Sequence, residues 1–131
     1  MIIDSSAVLA IVLDEPDQER FVDAIVDAAL RRMSVSNWLE ATMVVDRRGT
    51  AFAADRLEEF IRDAEIELMP VSVSQGELAR RAWRTFGRGA HPARLNYGDC
   101  FAYALAKETR EPLLFKGNDF AQTDVEPALK D

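Results

Sequence analysis

Short apolar segments alternate with helical patterns along this chain of 131 residues. The apolar segments, at residues 1–4, 33–35, 66–71 and 112–115, have the length of strands and contain few polar side chains. Strands that are almost wholly apolar are typical of parallel sheets covered on both faces. The sequence therefore predicts an α/β fold, a three-layer α/β/α domain with a short, mostly parallel central sheet.

Six segments around these strands carry the signals of helices. They are residues 7–13, 18–30, 37–48, 51–64, 74–86 and 97–109. Ser5 or Ser6 is expected to cap the first helix, and Gly49 to end the third. Val125 is expected to begin a small edge strand near the end of the chain.

The composition excludes several classes of protein and of site. Residues 1–131 have the length of a single domain, and an apolar content of 48% excludes a disordered chain. A single cysteine, Cys100, and a single histidine, His91, exclude an intrachain disulfide, a Cys-rich zinc site and a His-pair metal motif. The apolar run at residues 7–13 is too short to span a bilayer, and the first residues lack a basic signal-peptide region. We therefore expect a cytoplasmic protein without a membrane partner.

The net charge is −7, which excludes binding to nucleic acid by bulk electrostatic attraction. A protein with such a negative net charge needs local basic patches or bound cations if it acts on a polyanion.

Four acidic residues stand where a predicted element begins or ends: Asp4, Glu40, Asp99 and Asp119. Ligands of parallel sheets bind outside the carboxyl ends of the strands, where Asp4 and Asp119 are expected. Two carboxylates about 4 Å apart repel by roughly 4 kcal/mol at an effective dielectric near 20, so converging acids hold protons or a cation. Oxygen ligands favour Mg²⁺ or Mn²⁺ over zinc.

A structural interpretation competes with this chemistry at each of the four acids. An acid three residues after Asn or Ser also forms a helix capping box. Three segments have that spacing: Asn37 to Glu40, Asn96 to Asp99 and Ser74 to Glu77. Asp119 could cap a short turn. Spacing alone therefore does not separate Glu40 from Glu77.

Four segments together resemble the motifs of PIN-domain ribonucleases, in the form seen in VapC toxins. They are MIIDSSA at residues 1–7, SNWLEA at residues 36–41, LNYGDCFAYALA at residues 95–106 and LLFKGNDF at residues 113–120. Their order and separation fit over almost the whole chain. The third and fourth segments in combination carry most of the resemblance.

The resemblance implies a PIN-like fold and a Mg²⁺- or Mn²⁺-dependent endoribonuclease, the toxin of a type II toxin–antitoxin pair. It carries Asp4 and Asp99 over as the principal metal ligands, and Glu40 and Asp119 as supporting or water-orienting catalytic groups. Ser6 matches a small hydroxyl residue that braces the first aspartate.

The partners that the resemblance implies are RNA, a small cognate antitoxin held by the early helices, and a second copy of the chain. A homodimer and a heterotetramer or larger assembly with the antitoxin are expected. The fourth motif departs from many relatives, which carry an acid where this chain has Gly117. The nearest acids are Asp119 and Asp124, and either could complete the site.

Basic residues supply the candidate contacts to substrate. Arg94 and Lys116 lie close in sequence to Asp99 and Asp119 and are expected to contact RNA. Arg80, Arg84 and Arg88 recur at i, i+4 and i+8, with Arg81 beside them. These arginines either grip phosphates or form a solvated face with Glu77 paired to Arg81.

The remaining unusual side chains have structural interpretations. Cys100 is expected in the core, and His91 is expected to be exposed and structural. Trp38 and Trp83 lie on apolar stripes and are expected in the core or at an interface.

Two rival functions stay open. The first is phosphoryl transfer, with Asp4 as phosphoacceptor and Lys116 as its charge partner, although Ser6 stands where one such class has a second Asp. The second is a non-catalytic module that binds RNA or a partner, which Gly117 favours.

Overall fold

A parallel sheet of four short strands forms the centre of the computed structural model, which describes residues 1–48 and 51–130. The strands are β1 (Ile2–Ile3), β2 (Arg32–Ser34), β3 (Glu67–Met69) and β4 (Leu113–Leu114), in the order β3-β2-β1-β4. All pairings between these strands are parallel, with Ile2 beside both Arg32 and Leu113.

Six helices within residues 1–48 and 51–130 surround the sheet. They are α1 (Ser5–Val12), α2 (Gln18–Asp27), α3 (Val35–Arg48), α4 (Ala51–Asp63), α5 (Val73–Phe86) and α6 (Tyr97–Thr109). No helix in the described part of the chain is long and apolar enough to cross a membrane.

Successive strand residues face opposite layers, because side chains alternate across a strand. Ile2 and Leu113 pack into a core with α5 and α6, whereas Ile3 and Leu114 pack into a core with α1, α2, α3 and α4. Both faces of the sheet are therefore covered by helices. The predicted α/β/α architecture with a short parallel sheet is confirmed.

The structure corrects the predicted start of three helices. Asp4, and not Ser5 or Ser6, caps α1, because its carboxylate accepts a hydrogen bond from the Ser6 backbone N–H. Ser72 caps α5 by accepting from the Gln75 backbone N–H, so the box predicted at Ser74 is wrong. The box predicted at Asn37 is also wrong, since α3 begins at Val35 and Asn37 lies inside the helix.

Two other predictions differ from the structure, and a third is not tested by it. The second helix ends at Asp27 and not at residue 30. Val125 begins no strand, because the last segment pairs with β4 only through an isolated bridge between Leu113 and Pro127, and proline has no N–H to extend a ladder. Gly49, which was expected to end α3, lies outside the described residues.

Candidate active site

Asp4 stands at the end of β1 and is 3% exposed. Its backbone N–H donates to the carbonyl of Leu114 on the neighbouring strand at 2.9 Å. Carboxylate oxygen Oδ2 accepts hydrogen bonds from the Ser6 backbone N–H at 3.0 Å and from Ser6 Oγ at 2.6 Å. The other oxygen, Oδ1, is buried and has no hydrogen-bond partner. One oxygen is thus held in place while the other is left for a ligand.

Ser6 connects the ends of β1 and β4. Its hydroxyl donates to Asp4 and accepts from the backbone N–H of Lys116 at 2.9 Å. Because the hydroxyl has one proton, the Lys116 N–H fixes the direction in which Ser6 donates. Ser6 therefore lies where the brace for the first aspartate was predicted.

Glu40 is carried by α3 and reaches toward the N-termini of α1 and α6. Its Oε1 accepts a hydrogen bond from Ser5 Oγ at 2.7 Å. Asn37, fully buried one turn earlier, lies 3.5 Å from the same oxygen through Nδ2 and donates to the carbonyl of Gly98 at 2.9 Å. Ser5 and Asn37 thus position Glu40, and Asn37 also ties α3 to α6.

Gly98 has a steric role that the sequence analysis missed. A Cβ built on Gly98 would lie 2.7 Å from Cδ of Glu40, closer than real Cβ atoms approach other atoms. Only glycine therefore lets the Glu40 carboxylate lie against the first turn of α6. The available signal was a glycine in the first turn of a predicted helix, where it has no turn to make.

Asp99 forms the predicted capping box with Asn96 at the start of α6. The Asn96 side chain accepts from the Asp99 backbone N–H at 2.9 Å, and Asp99 Oδ2 accepts from the Asn96 backbone N–H at 3.0 Å. Besides this structural role, Asp99 has an unusually high pKa. Burial raises the pKa of Asp99 to about 7, with the Asn96 hydrogen bond opposing, and the charges of Asp4, Asp119 and Glu40 add to the rise.

The pKa of Asp4 is raised in the same way, to about 6. Burial is the largest cause, the hydrogen bonds from Ser6 oppose it, and the charge of Glu40 adds to it. The four predicted acids therefore share one electrostatic environment on one side of the molecule. Buried carboxyl groups with raised pKa values, such as Asp4 and Asp99, are typical of functional sites.

Asp119 and Asp124 differ in what they contact. Asp119 precedes a short 3₁₀ turn (Phe120–Gln122), is exposed, and makes no capping hydrogen bond there. Asp124 accepts from the Tyr103 hydroxyl at 2.6 Å and from Lys107 Nζ at 3.1 Å. Of Asp119 and Asp124, only Asp119 contributes to the raised pKa of Asp99. Gly117 has φ of +105°, a conformation that an acidic residue adopts only with strain.

The two predicted substrate contacts lie in different surroundings. Lys116 Nζ pairs with Glu15 at 3.0 Å and with Asp17 at 2.9 Å, and both partners raise the pKa of the lysine. Arg94 is exposed, with φ of +56°, two residues before the cap of α6. Lys116 is therefore bound by two carboxylates at the surface, while Arg94 is exposed in the loop before α6, the helix that carries Asp99.

The burial of the cysteine, the histidine and the two tryptophans tests the structural interpretation of each. Cys100 is buried in the core, as predicted. His91 is half-buried and not exposed; its Nδ1 accepts from the Ala93 N–H, and its ring packs edge-on against Phe86, which makes it structural. Trp38 packs against the core, whereas Trp83 is 47% exposed.

The arginines of α5 are exposed. Among the ion pairs between described residues, none joins Glu77 to Arg81, so the predicted pairing on a solvated face is wrong. Both residues are exposed, so water solvates their charges.

The donor set fits a hard divalent cation held by few protein ligands. Asp4 and Asp99 offer carboxylate oxygens, and the unpaired Oδ1 of Asp4 is a buried acceptor without a donor. Within residues 1–48 and 51–130, no group of three His, Cys, Asp or Glu side chains lies close enough to hold a metal ion. Mg²⁺ often takes only one or two carboxylates and completes its shell with water and substrate phosphate oxygens.

Comparisons with known proteins agree with the fold and with the motifs. The PIN domain family matches residues 1–126. The chain is 48% identical to Ribonuclease VapC28 of Mycobacterium tuberculosis over 130 residues, 98% of each chain.

Two solved structures share the fold at 15% sequence identity. The toxin VapC20 of Mycobacterium tuberculosis, described as cleaving the sarcin-ricin loop, aligns with a TM-score of 0.72 over 95% of both chains. A toxin–antitoxin complex from Klebsiella pneumoniae aligns with a TM-score of 0.69 over 94% of this chain and 92% of that one.

Proposed function

This chain belongs to the PIN-domain family and, within it, to the VapC ribonucleases, and we propose that it is a toxin endoribonuclease that uses Mg²⁺ or Mn²⁺. The observation that carries the metal dependence is the pair Asp4 and Asp99, whose pKa values are raised to about 6 and about 7, chiefly by burial, with the charge of Glu40 adding to both. Buried carboxylates in this state are stabilised by a cation. Residues 1–131 then act as one PIN domain.

Asp4 and Asp99 are the proposed metal ligands. Asp4 would bind through Oδ1, the oxygen without a partner, while Ser6 holds Oδ2. Asp99 would bind through Oδ1, because Oδ2 accepts from Asn96. Each ligand thus keeps one oxygen engaged by the protein, which fixes its orientation before the ion arrives.

A bound Mg²⁺ or Mn²⁺ would lower the pKa of a coordinated water and neutralise charge on the attacked phosphate. Glu40, held by Ser5 and confined by Gly98, would orient the attacking water and accept its proton. Asp119, exposed at the rim, is the proposed fourth acid, since the oxygens of Asp124 are engaged by Tyr103 and Lys107. No covalent nucleophile is required.

The experiment that tests this function is cleavage of structured RNA by purified protein with Mg²⁺ or with EDTA. Cleavage should require Mg²⁺ and fall by at least about a hundredfold in Asp4→Asn and in Asp99→Asn, because losing a supporting residue alone costs 10–100-fold. Asp46→Asn, the same change at an exposed position of α3, is the control. RNA binding without cleavage, unchanged in both variants, would instead support the non-catalytic module.

The aspartyl-phosphate rival loses its charge partner in this structure. Lys116 Nζ pairs with Glu15 and Asp17, while its backbone N–H donates to Ser6. Mass spectrometry after treatment with an acyl phosphate tests the rival directly. Stable phosphate on Asp4 would favour phosphoryl transfer over RNA hydrolysis.

The proposed partners are RNA and a small cognate antitoxin in the cytoplasm. Exposed apolar side chains on α2, α3 and α4 offer the antitoxin a surface to cover; they are Val26, Leu39, Met43 and Phe52. Arg94 is the proposed contact to RNA phosphate, and Lys116 joins it if RNA displaces Glu15 or Asp17. A homodimer, and a heterotetramer or larger complex with the antitoxin, are tested by sedimentation of the co-expressed pair.

A further inference from the structure

A pocket of about 540 Å³ opens between α5 and α6, beside the acidic site. Its walls include Trp83 of α5 and Tyr97 and Phe101 of α6. Tyr97 is 78% exposed, and its ring packs edge-on against Phe101 with centroids 4.9 Å apart. Aromatic surface left open in this way costs solubility unless a ligand uses it, and the volume suits a small molecule or a single nucleotide.

The Trp83 ring is held in place before any ligand arrives. A Cβ on Gly87 would lie 2.7 Å from Cε3 and 2.9 Å from Cδ2 of the indole, so the ring rests against the glycine backbone. A ring fixed by packing loses little conformational entropy when another flat group stacks on it. Trp83 therefore presents a preformed platform.

Two arginines line the same pocket, which makes it suited to an anionic ligand. Arg80 comes from α5, and Arg88 follows that helix. In the described part of the chain, neither side chain joins an ion pair. In a protein with a net charge of −7, unpaired arginines beside open aromatic rings favour a ligand with a flat ring and a phosphate.

One residue of the pocket wall is hydrogen-bonded to a proposed metal ligand. Asn96 lines the pocket, and it also forms the capping box with Asp99. A strand of RNA whose phosphate lies at Asp99 can therefore place the adjoining nucleotide in the pocket.

We infer that this pocket binds an unpaired base of the substrate RNA, next to the phosphodiester that is cut. The inference rests on the proposed ribonuclease function. The base stacks on Trp83 and Tyr97, and Arg80 and Arg88 contact the flanking phosphates. Sequence-specific proteins commonly read single-stranded RNA through such stacked, splayed-out bases.

The test is binding of labelled RNA octamers in EDTA, which stops the proposed cleavage. The probes are oligo(A), oligo(C), oligo(U) and an abasic octamer with the same phosphates. Wild-type protein should bind the best base-bearing octamer about tenfold or more tightly than the abasic one, since stacking on an aromatic ring contributes that much. Trp83→Leu and Tyr97→Leu should each remove most of this difference.

The arginine variants separate pocket contacts from general charge. Arg80→Ala should weaken binding of every octamer, including the abasic one. Arg84→Ala removes the same charge from an exposed position of α5 that does not line the pocket, and should weaken binding of the octamers much less than Arg80→Ala does. Circular dichroism and Mg²⁺ binding of each variant verify the fold.

Two outcomes would overturn the inference. In one, Trp83→Leu and Tyr97→Leu retain the wild-type base preference. In the other, the wild type is a dimer and Trp83→Leu a monomer with unchanged octamer binding, so that the surface is a contact between copies. Suppose that the wild type shows a base preference, which Trp83→Leu and Tyr97→Leu lose, but no Mg²⁺-dependent cleavage. That result contradicts the proposed function but not the pocket. A wild type that cleaves RNA with Mg²⁺ but has no base preference contradicts the pocket but not the proposed function.

Discussion

The Glu40 carboxylate lies against Gly98, in space that any Cβ on residue 98 would occupy. Asn37 reinforces the same junction by donating to the Gly98 carbonyl. The segment that carries Glu40 and the segment that carries Asp99 therefore pack against each other at Gly98. The position of Glu40 depends on a residue with no side chain.

Gly98→Ala should lower activity much more than stability. The added methyl displaces the Glu40 carboxylate, so we expect kcat for RNA cleavage to fall by about 10–100-fold. The free energy of unfolding should fall by at most about 1 kcal/mol, because the carboxylate ends a flexible side chain and loses mainly its hydrogen bond from Ser5. Gly76→Ala is the stability control, because nothing lies within 4 Å of its Cβ position in α5 and alanine there should stabilise the helix by about 0.5–1 kcal/mol. Wild-type kcat and stability in Gly98→Ala would show that Glu40 does not need this packing.

Ser6→Ala should weaken metal binding without unfolding the protein. The change removes the hydroxyl that donates to Asp4 and accepts from the Lys116 N–H. Loss of a group that orients a ligand costs about 10–100-fold in metal affinity, which calorimetric titration with Mn²⁺ measures. Ser74→Ala, far from the site on α5, is the matched control. Equal Mn²⁺ affinity in the two variants would contradict a bracing role.

The stability of the metal-free protein should fall as the pH rises. Burial raises the pKa of Asp4 from 3.8 to about 6, so the folded state binds this proton more tightly than the unfolded state does. The associated stability is complete below the unfolded pKa and lost as the pH passes the folded one. A shift of this size corresponds to roughly 3 kcal/mol.

Asp4→Asn removes that titration. In EDTA at about pH 8 the variant should be more stable than the wild type by up to about 3 kcal/mol, and the two should converge near pH 4. Denaturant unfolding at several pH values measures this, with Asp46→Asn as the control. A variant less stable than the wild type at high pH would show that ionised Asp4 is not strained in the apo protein.

Asp119→Asn should lower the rate of RNA cleavage, whereas Asp124→Asn should lower stability. Asp119 raises the pKa of Asp99 and makes no capping bond, so its loss should lower RNA cleavage by about tenfold and leave stability unchanged. Asp124 binds Tyr103 and Lys107, so its loss should cost about 1 kcal/mol of stability and leave kcat unchanged. Thermal unfolding and RNA cleavage rates distinguish the two, and a reversed pattern would make Asp124 the fourth acid.

The sequence predicted what short-range patterns determine. Short apolar segments predicted the parallel sheet, and the acids that follow them predicted that Asp4 and Asp119 lie at the same edge of it. The Asn96–Asp99 capping box was also predicted correctly, because its hydrogen bonds join residues three positions apart. The caps of α1 and α5 were mispredicted, because several residues able to cap a helix lie within two positions of each other. They are Asp4, Ser5 and Ser6 before α1, and Ser72 and Ser74 before α5.

Long-range contacts could not be predicted from the sequence. Asn37 looked like a helix cap, but its partner Gly98 lies 61 residues away. Lys116 looked free for substrate, but its partners Glu15 and Asp17 are 101 and 99 residues distant. Such pairs depend on which elements the fold places side by side, and that information is spread over the whole core.

The central claim is that Asp4 and Asp99 hold one divalent ion together. Electron paramagnetic resonance of Mn²⁺ titrated into the wild type, Asp4→Asn and Asp99→Asn measures free and bound ion directly. One tightly bound Mn²⁺ in the wild type, lost in either single variant and kept in Asp46→Asn, is the predicted result. Wild-type Mn²⁺ binding in either Asp4→Asn or Asp99→Asn would contradict a shared site.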